Sequence, residues 1–163
     1  IQVKLSIMSF NCRETYTGKY YTYNMTSQEN SLKDWNEIEK CAEILVTKIL
    51  ESKRQFRAIY TISRGGLVPA RLVADRLDIR QILVDEETIP EDSLFVDDIY
   101  DTGETFRKIM PRAENPDTLV FATFFARRKN QYPKQLIYAK QTENSEYIVF
   151  PWDRFERGIS NFS

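Results

Sequence analysis

Leu94-Phe95-Val96-Asp97-Asp98-Ile99-Tyr100-Asp101-Thr102-Gly103-Glu104-Thr105 is the stretch that decides the fold. Leu94 to Val96 is a short apolar run suited to a buried strand, and side chains alternate along a strand, so Asp97 and Asp98 leave it on opposite sides. The turn Thr102-Gly103-Glu104-Thr105 then opens a helix running to about Met110. Its backbone N–H groups and hydroxyls can cradle a phosphate, and Gly103 supplies the conformational freedom a tight cradle needs. Acids beside a phosphate make chemical sense when they bind something else, such as sugar hydroxyls or Mg²⁺. Taken alone, Asp101-Thr102-Gly103 also reads as an acidic strand-to-helix cap.

Outward from this segment, strands and helices alternate. Ala58 to Ile62 is a buried-strand candidate, and Ser63-Arg64-Gly65-Gly66 turns it into an apolar helix from Leu67 to Leu77, with Pro69 in the tolerated first turn. Arg80 to Val84, Leu119 to Phe125 and Leu136 to Ala139 supply further strands. Ser31 to about Lys53 reads as a long helix, Ser31 and Asp34 resembling a capping box. Val3 to Phe10 and Lys19 to Asn24 could pair as a hairpin. The pattern predicts an α/β protein with a doubly wound, mostly parallel sheet, and such sheets bind ligands at the carboxyl ends of their strands. Both glycine-bearing turns lie there.

The chain has 163 residues, enough for one domain with a substantial core. Its net charge of −1 offers no basic field for nucleic acid, so an anionic substrate needs a local site. No histidine is present, which excludes Ser-His-Asp and Cys-His catalysis and His-ligated zinc. Carboxylates, amides, Arg and Lys must carry the chemistry. Cys12 and Cys41 read as incidental reduced thiols. No apolar run approaches the roughly 20 residues of a membrane helix, and Ile1 to Met8 lacks the pattern of a signal peptide, so a cytoplasmic location is expected.

The Leu94–Thr105 segment closely resembles the diphosphoribosyl-pyrophosphate signature of the type I phosphoribosyltransferases, with Ser93 and Tyr100 standing where aliphatic residues are commoner. Ser63-Arg64-Gly65-Gly66-Leu67-Val68-Pro69 is similar to the pyrophosphate loop of the bacterial xanthine–guanine enzymes in that family. The resemblance implies transfer of a 5-phosphoribosyl group from its pyrophosphate donor to a nucleobase, a 6-oxopurine above all, with Mg²⁺ as cofactor and a homo-oligomer, dimer or tetramer, as the assembly. The alternative is a donor- or nucleotide-binding regulatory protein with little turnover.

The resemblance also implies roles. Asp97 and Asp98 would bind the ribose hydroxyls, Asp98 close to Mg²⁺, and Thr102, Gly103, Glu104 and Thr105 would hold the 5′-phosphate. Ser63, Arg64, Gly65 and Gly66 would hold pyrophosphate. Asp101 would manage the base N7 proton, making Asp101 and Arg64 the catalytic pair. A small hood would come from the terminal segments, residues 1–30 being an extension and 140–163 the hood and tail. There Tyr147 would stack on the base, Ile148 would contact its edge, and Asp153 would lie near its 2-substituent. Arg127 stands where the relatives carry a Lys that donates to the 6-oxo group, and Arg is not a neutral exchange for Lys. Without the resemblance, Arg127-Arg128-Lys129 reads as a solvated basic strand end, and Tyr147 to Asp153 as an aromatic edge strand and tail. Two departures stand out. The relatives have a longer mobile loop where this chain has only Asp85 to Ser93 and flanks, and they lack the N-terminal extension. That extension's Tyr16, Tyr20, Tyr21 and Tyr23 could cover the site, or the segment could form a dimerising hairpin.

Overall fold

The computed structural model describes residues 29–129, 131–143 and 146–153. The expected hairpin and the tyrosines of the extension lie outside them.

Five strands form one parallel sheet: β2 (Ala58–Thr61), β3 (Gln81–Val84), β4 (Ser93–Tyr100), β5 (Val120–Arg127) and β6 (Leu136–Thr142), in the order β3-β2-β4-β5-β6. The order places the two strands that lead into the glycine turns, β2 and β4, side by side, in register from Ala58↔Ser93 to Tyr60↔Phe95. β5 is buried along its whole length, as expected of a parallel strand covered on both faces.

Alternation divides the core into two layers. Ile59, Leu94, Val96 and Ala122 face α1 (Trp35–Glu51) and α2 (Leu67–Leu77). Tyr60, Phe95 and Phe121 face the other way, where Phe106 and Ile109 of α3 (Glu104–Ile109) and Ile89 cover them. Phe95 stacks between Tyr60 and Phe121, with ring centroids 5.8 and 4.4 Å away. Helices on both faces make the sheet doubly wound.

One helix start differs from its sequence reading. α1 begins at Trp35, and Asp34, not Ser31, is its N-cap: the Asp34 carboxylate accepts from Glu37 N at 2.8 Å. Both residues are good caps, and Ser31 is drawn instead into a short strand, β1 (Glu29–Leu32). β1 pairs in parallel with β7 (Glu146–Val149), giving a two-stranded ribbon apart from the main sheet. This is the expected hood. Trp152 stacks on Phe150, centroids 4.8 Å apart, and reaches Trp35 at 6.0 Å, binding the hood to the start of α1.

Candidate functional site

β4 runs on past its apolar core to Tyr100, so Asp97 and Asp98 lie within the strand rather than in the loop after it. Pairing of Asp97 with Thr123 and of Ile99 with Phe125 holds that backbone in the ladder. The acids are therefore presented on a rigid element. Asp97 is buried and its Oδ1 accepts the N–H of Asp98 at 3.0 Å. Burial pushes the Asp97 carboxyl up to about 7, partly offset by that N–H. Asp98 is raised too, first by burial and then by the negative charge of Asp97, with a smaller contribution from Asp153. Among the described residues no cationic side chain forms an ion pair with either acid.

A cleft of about 330 Å³ opens over the carboxyl ends of β2 and β4. It brings together Ser63, Arg64 and Gly65 with Asp97, Asp98 and the whole of Asp101 to Thr105. The two glycines after Arg64 have different reasons to be there. A β-carbon on Gly65 would fall 2.5 Å from Asp98 Oδ2, and one on Gly66 would fall 2.0 Å from Thr61 Oγ1 and 2.9 Å from the Val96 carbonyl. Gly65 thus lets the Ser63–Gly66 turn touch the acid pair, and Gly66 lets α2 start against the sheet. Arg64 is exposed, with a left-handed φ of 72°.

Gly103 has φ 80° and is the N-cap position of α3, its position closed on one side by Tyr100 Oη. The cap reading of Asp101-Thr102 holds in part: Thr102 Oγ1 accepts from Glu104 N at 3.3 Å, whereas Asp101 turns to Arg127. Arg107 donates to the Thr102 carbonyl at 3.3 Å and stiffens the turn.

The residues expected at the base fall outside this cleft, around the hood. Ile148 is buried and pairs with Ser31, and Tyr147 is 39% exposed. Asp153 Oδ2 accepts from Phe150 N at 3.1 Å, closing the tail turn. Arg127 is not a solvated strand end; it is buried, and all three guanidinium nitrogens donate within the protein. Nε and Nη2 reach the two Asp101 oxygens at 3.2 and 3.4 Å, and Nη1 reaches the carbonyls of Glu143 and Glu146. Arg128 beside it is exposed and pairs with the Glu143 carboxylate.

Asp85 was missed from the sequence. Its carboxylate accepts from Ser63 N with both oxygens at 3.2 Å, bracing the Ser63–Gly66 turn from the end of β3. Twenty-one intervening residues of turn, helix and strand hide that contact from any local pattern. The short connection that follows is tied down at Glu86, Ile89 and Glu91. Tyr60 Oη donates to the Glu86 carbonyl at 2.6 Å. Ile89 N donates to Arg112 O at 2.8 Å, and Glu114 N donates back to Ile89 O at 3.0 Å. Asn115 then holds the Glu91 carboxylate at 2.8 Å.

A parallel sheet carrying an acid pair and two glycine turns at its carboxyl edge defines the class: an α/β protein with its cleft over the carboxyl ends of the strands. A xanthine-guanine phosphoribosyltransferase of Nitratidesulfovibrio vulgaris (strain DP4) is 30% identical over 141 residues, covering 73% of this chain and 82% of its own length. Among solved structures, a purine phosphoribosyltransferase from Pyrococcus horikoshii superposes with a TM-score of 0.64 at 20% identity, covering 78% of this chain and 95% of its own. A Helicobacter pylori xanthine-guanine-hypoxanthine phosphoribosyltransferase gives 0.64 at 17%, with 79% and 97% covered. No family model matches the sequence. The chain belongs to the type I phosphoribosyltransferase family. Among the described residues no helix is long and apolar enough to cross a membrane.

Proposed function

We propose that this chain transfers a 5-phosphoribosyl group from its pyrophosphate donor to a 6-oxopurine with Mg²⁺ bound, releasing pyrophosphate. Its family and relatives make it a purine-salvage phosphoribosyltransferase; the choice of base, the metal and the residue roles are our reading. The observation that carries it is the single cleft joining Ser63–Gly65, Asp97–Asp98 and Asp101–Thr105. In this reading the amides and hydroxyls of Thr102 to Thr105 bind the 5′-phosphate, and Asp97 and Asp98 bind the ribose hydroxyls. Arg64 and the Ser63–Gly66 amides receive pyrophosphate as its bond to the ribose breaks. Asp101 accepts the base proton as the new carbon–nitrogen bond forms. Tyr147, Ile148 and Asp153 border the base from the hood.

Two adjacent carboxylates, Asp97 buried and Asp98 half-buried, with no cationic partner among the described residues and both raised by desolvation, are a donor set of hard oxygens that suits Mg²⁺. Asp98 would hold the ion, which supplies charge neutralisation for the departing pyrophosphate. A homo-oligomer, dimer or tetramer, completes the proposal.

A second reading, a donor- or nucleotide-binding protein with little turnover, is favoured by the tied-down Asp85–Asp92 connection, which leaves no long loop between β3 and β4 to close over the donor. One assay separates the two. Protein, donor and Mg²⁺ are incubated with a panel of nucleobases and nucleotide is followed by chromatography. Product with a 6-oxopurine supports transfer; donor binding with no product from any base establishes the second reading.

A further inference from the structure

Arg127 is the last residue of β5, and its guanidinium stands between two parts of the molecule that no strand pairing joins. On one side is the Asp101 carboxylate, gripped through Nε and Nη2; on the other are the carbonyls of Glu143 and Glu146, gripped through Nη1. Glu146 is the first residue of β7, so the contact reaches the hood directly. The arginine itself is fixed. Tyr132 Oη donates to the Arg127 carbonyl at 2.9 Å, accepts from Lys129 N at 3.2 Å and from Gln141 Nε2 at 2.7 Å, and its ring meets Tyr100 edge-on at 6.3 Å. A planar fork is the one cationic side chain that can hold both oxygens of a carboxylate while donating in another direction; a Lys, with a single point of charge, cannot.

Resting on the phosphoribosyl-transfer reading above, we propose that Arg127 is a positioning residue and not a direct ligand of the base: it locks Asp101 to the hood, so that the group taking the base proton and the strand bordering the base are placed together. With four of its five N–H donors committed to Asp101 and the two carbonyls, Arg127 is held as a clasp and not aimed at the purine 6-position, and base selection falls to the hood.

The test compares wild type, Arg127→Lys, Arg127→Met, Asp101→Asn and the double variant D101N/R127K in steady-state transfer to a 6-oxopurine. A positioning role predicts that R127K lowers kcat about tenfold or more while the donor KM stays within about threefold. It also predicts that D101N/R127K is no slower than D101N, because the arginine acts through the carboxylate. A direct base ligand would behave oppositely, R127K keeping kcat and shifting the KM for the base alone, with losses multiplying in the double variant. Either of those results overturns the proposal. Should R127M fail to fold, R127K and D101N carry the same comparison. Wild-type turnover is measured in parallel, so an inactive wild type counts against the transfer reading and not against the clasp. The clasp then stands on hydrogen exchange, where R127K must speed exchange both at residues 101–105 and at 146–149. Unchanged exchange at either segment would sink it.

Discussion

Gly65 and Asp98 meet with no room for a side chain between them: a β-carbon at position 65 would lie 2.5 Å from Asp98 Oδ2. The anion turn after β2 and the acid pair of β4 therefore have a fixed separation. Gly65→Ala should push the Asp98 carboxylate or the turn aside and raise the donor KM on the order of tenfold to a hundredfold, since displacements near 1 Å at a reacting centre cost that much. Thermal melting distinguishes this from unfolding. A variant with unchanged donor affinity would show that the contact does not set the donor geometry.

The roles of the acids separate in mutants. Asp101→Asn should lower turnover by about a hundredfold or more while donor affinity is largely kept, the loss expected when a general base is removed. Asp97→Ala combined with Asp98→Ala should instead weaken donor binding, measured by calorimetry in the presence of Mg²⁺. Equal loss of both quantities in the two proteins would contradict the division of labour.

Stability should depend on pH through the buried acids. The Asp97 carboxyl sits at about 7 in the fold, whereas an unfolded aspartate titrates near 3.9. The folded state therefore binds the proton more tightly. The resulting stabilisation is complete below about pH 4 and is lost as pH rises through about 7. Scanning calorimetry of the ligand-free protein should show Tm falling between about pH 5 and pH 8, with a flatter profile for Asp97→Asn. Donor with Mg²⁺, which favours the ionised pair, should raise Tm more at the upper end of that range than at the lower. A Tm that climbs over the interval would refute the assignment.

Asp34→Ala provides a control remote from the chemistry. Loss of the N-cap bond to Glu37 should cost about 1 kcal/mol of stability, seen as a lower denaturation midpoint. Turnover at a temperature where the protein stays folded should not change.

What could be read in advance follows physical range. The strands β2 and β5 announced themselves because parallel strands buried on both faces are short apolar runs, as in Ala58–Ile62 and Leu119–Phe125. The anion turn and the acid segment were legible because each is contiguous. The start of α1 was misplaced by competition between two adequate caps, settled only when Ser31 found a partner in Ile148. β1 itself carried no signal, as Glu29–Leu32 has neither alternation nor an apolar run, and its partner β7 lies near the other end of the described chain. Arg127 was legible only as a cation at a strand end, and its engagement with Asp101 depends on how β4 and β5 end side by side. Asp85 bracing Ser63 is the same kind of fact. Both join residues through space, and no spacing rule encodes them.

The parallel pairing of β1 with β7 also orders events in time. Glu29 pairs with Glu146, so the strand synthesised before the whole five-stranded sheet must wait for one synthesised after it. Each strand of the central sheet after β2 pairs with one no more than two strands earlier in the chain, whereas closing the ribbon joins distant parts of the chain and is the slow, late kind of contact. Until β7 leaves the ribosome, β1 lacks the strand it pairs with, so the nascent protein can complete the cleft over β2 and β4 before its hood.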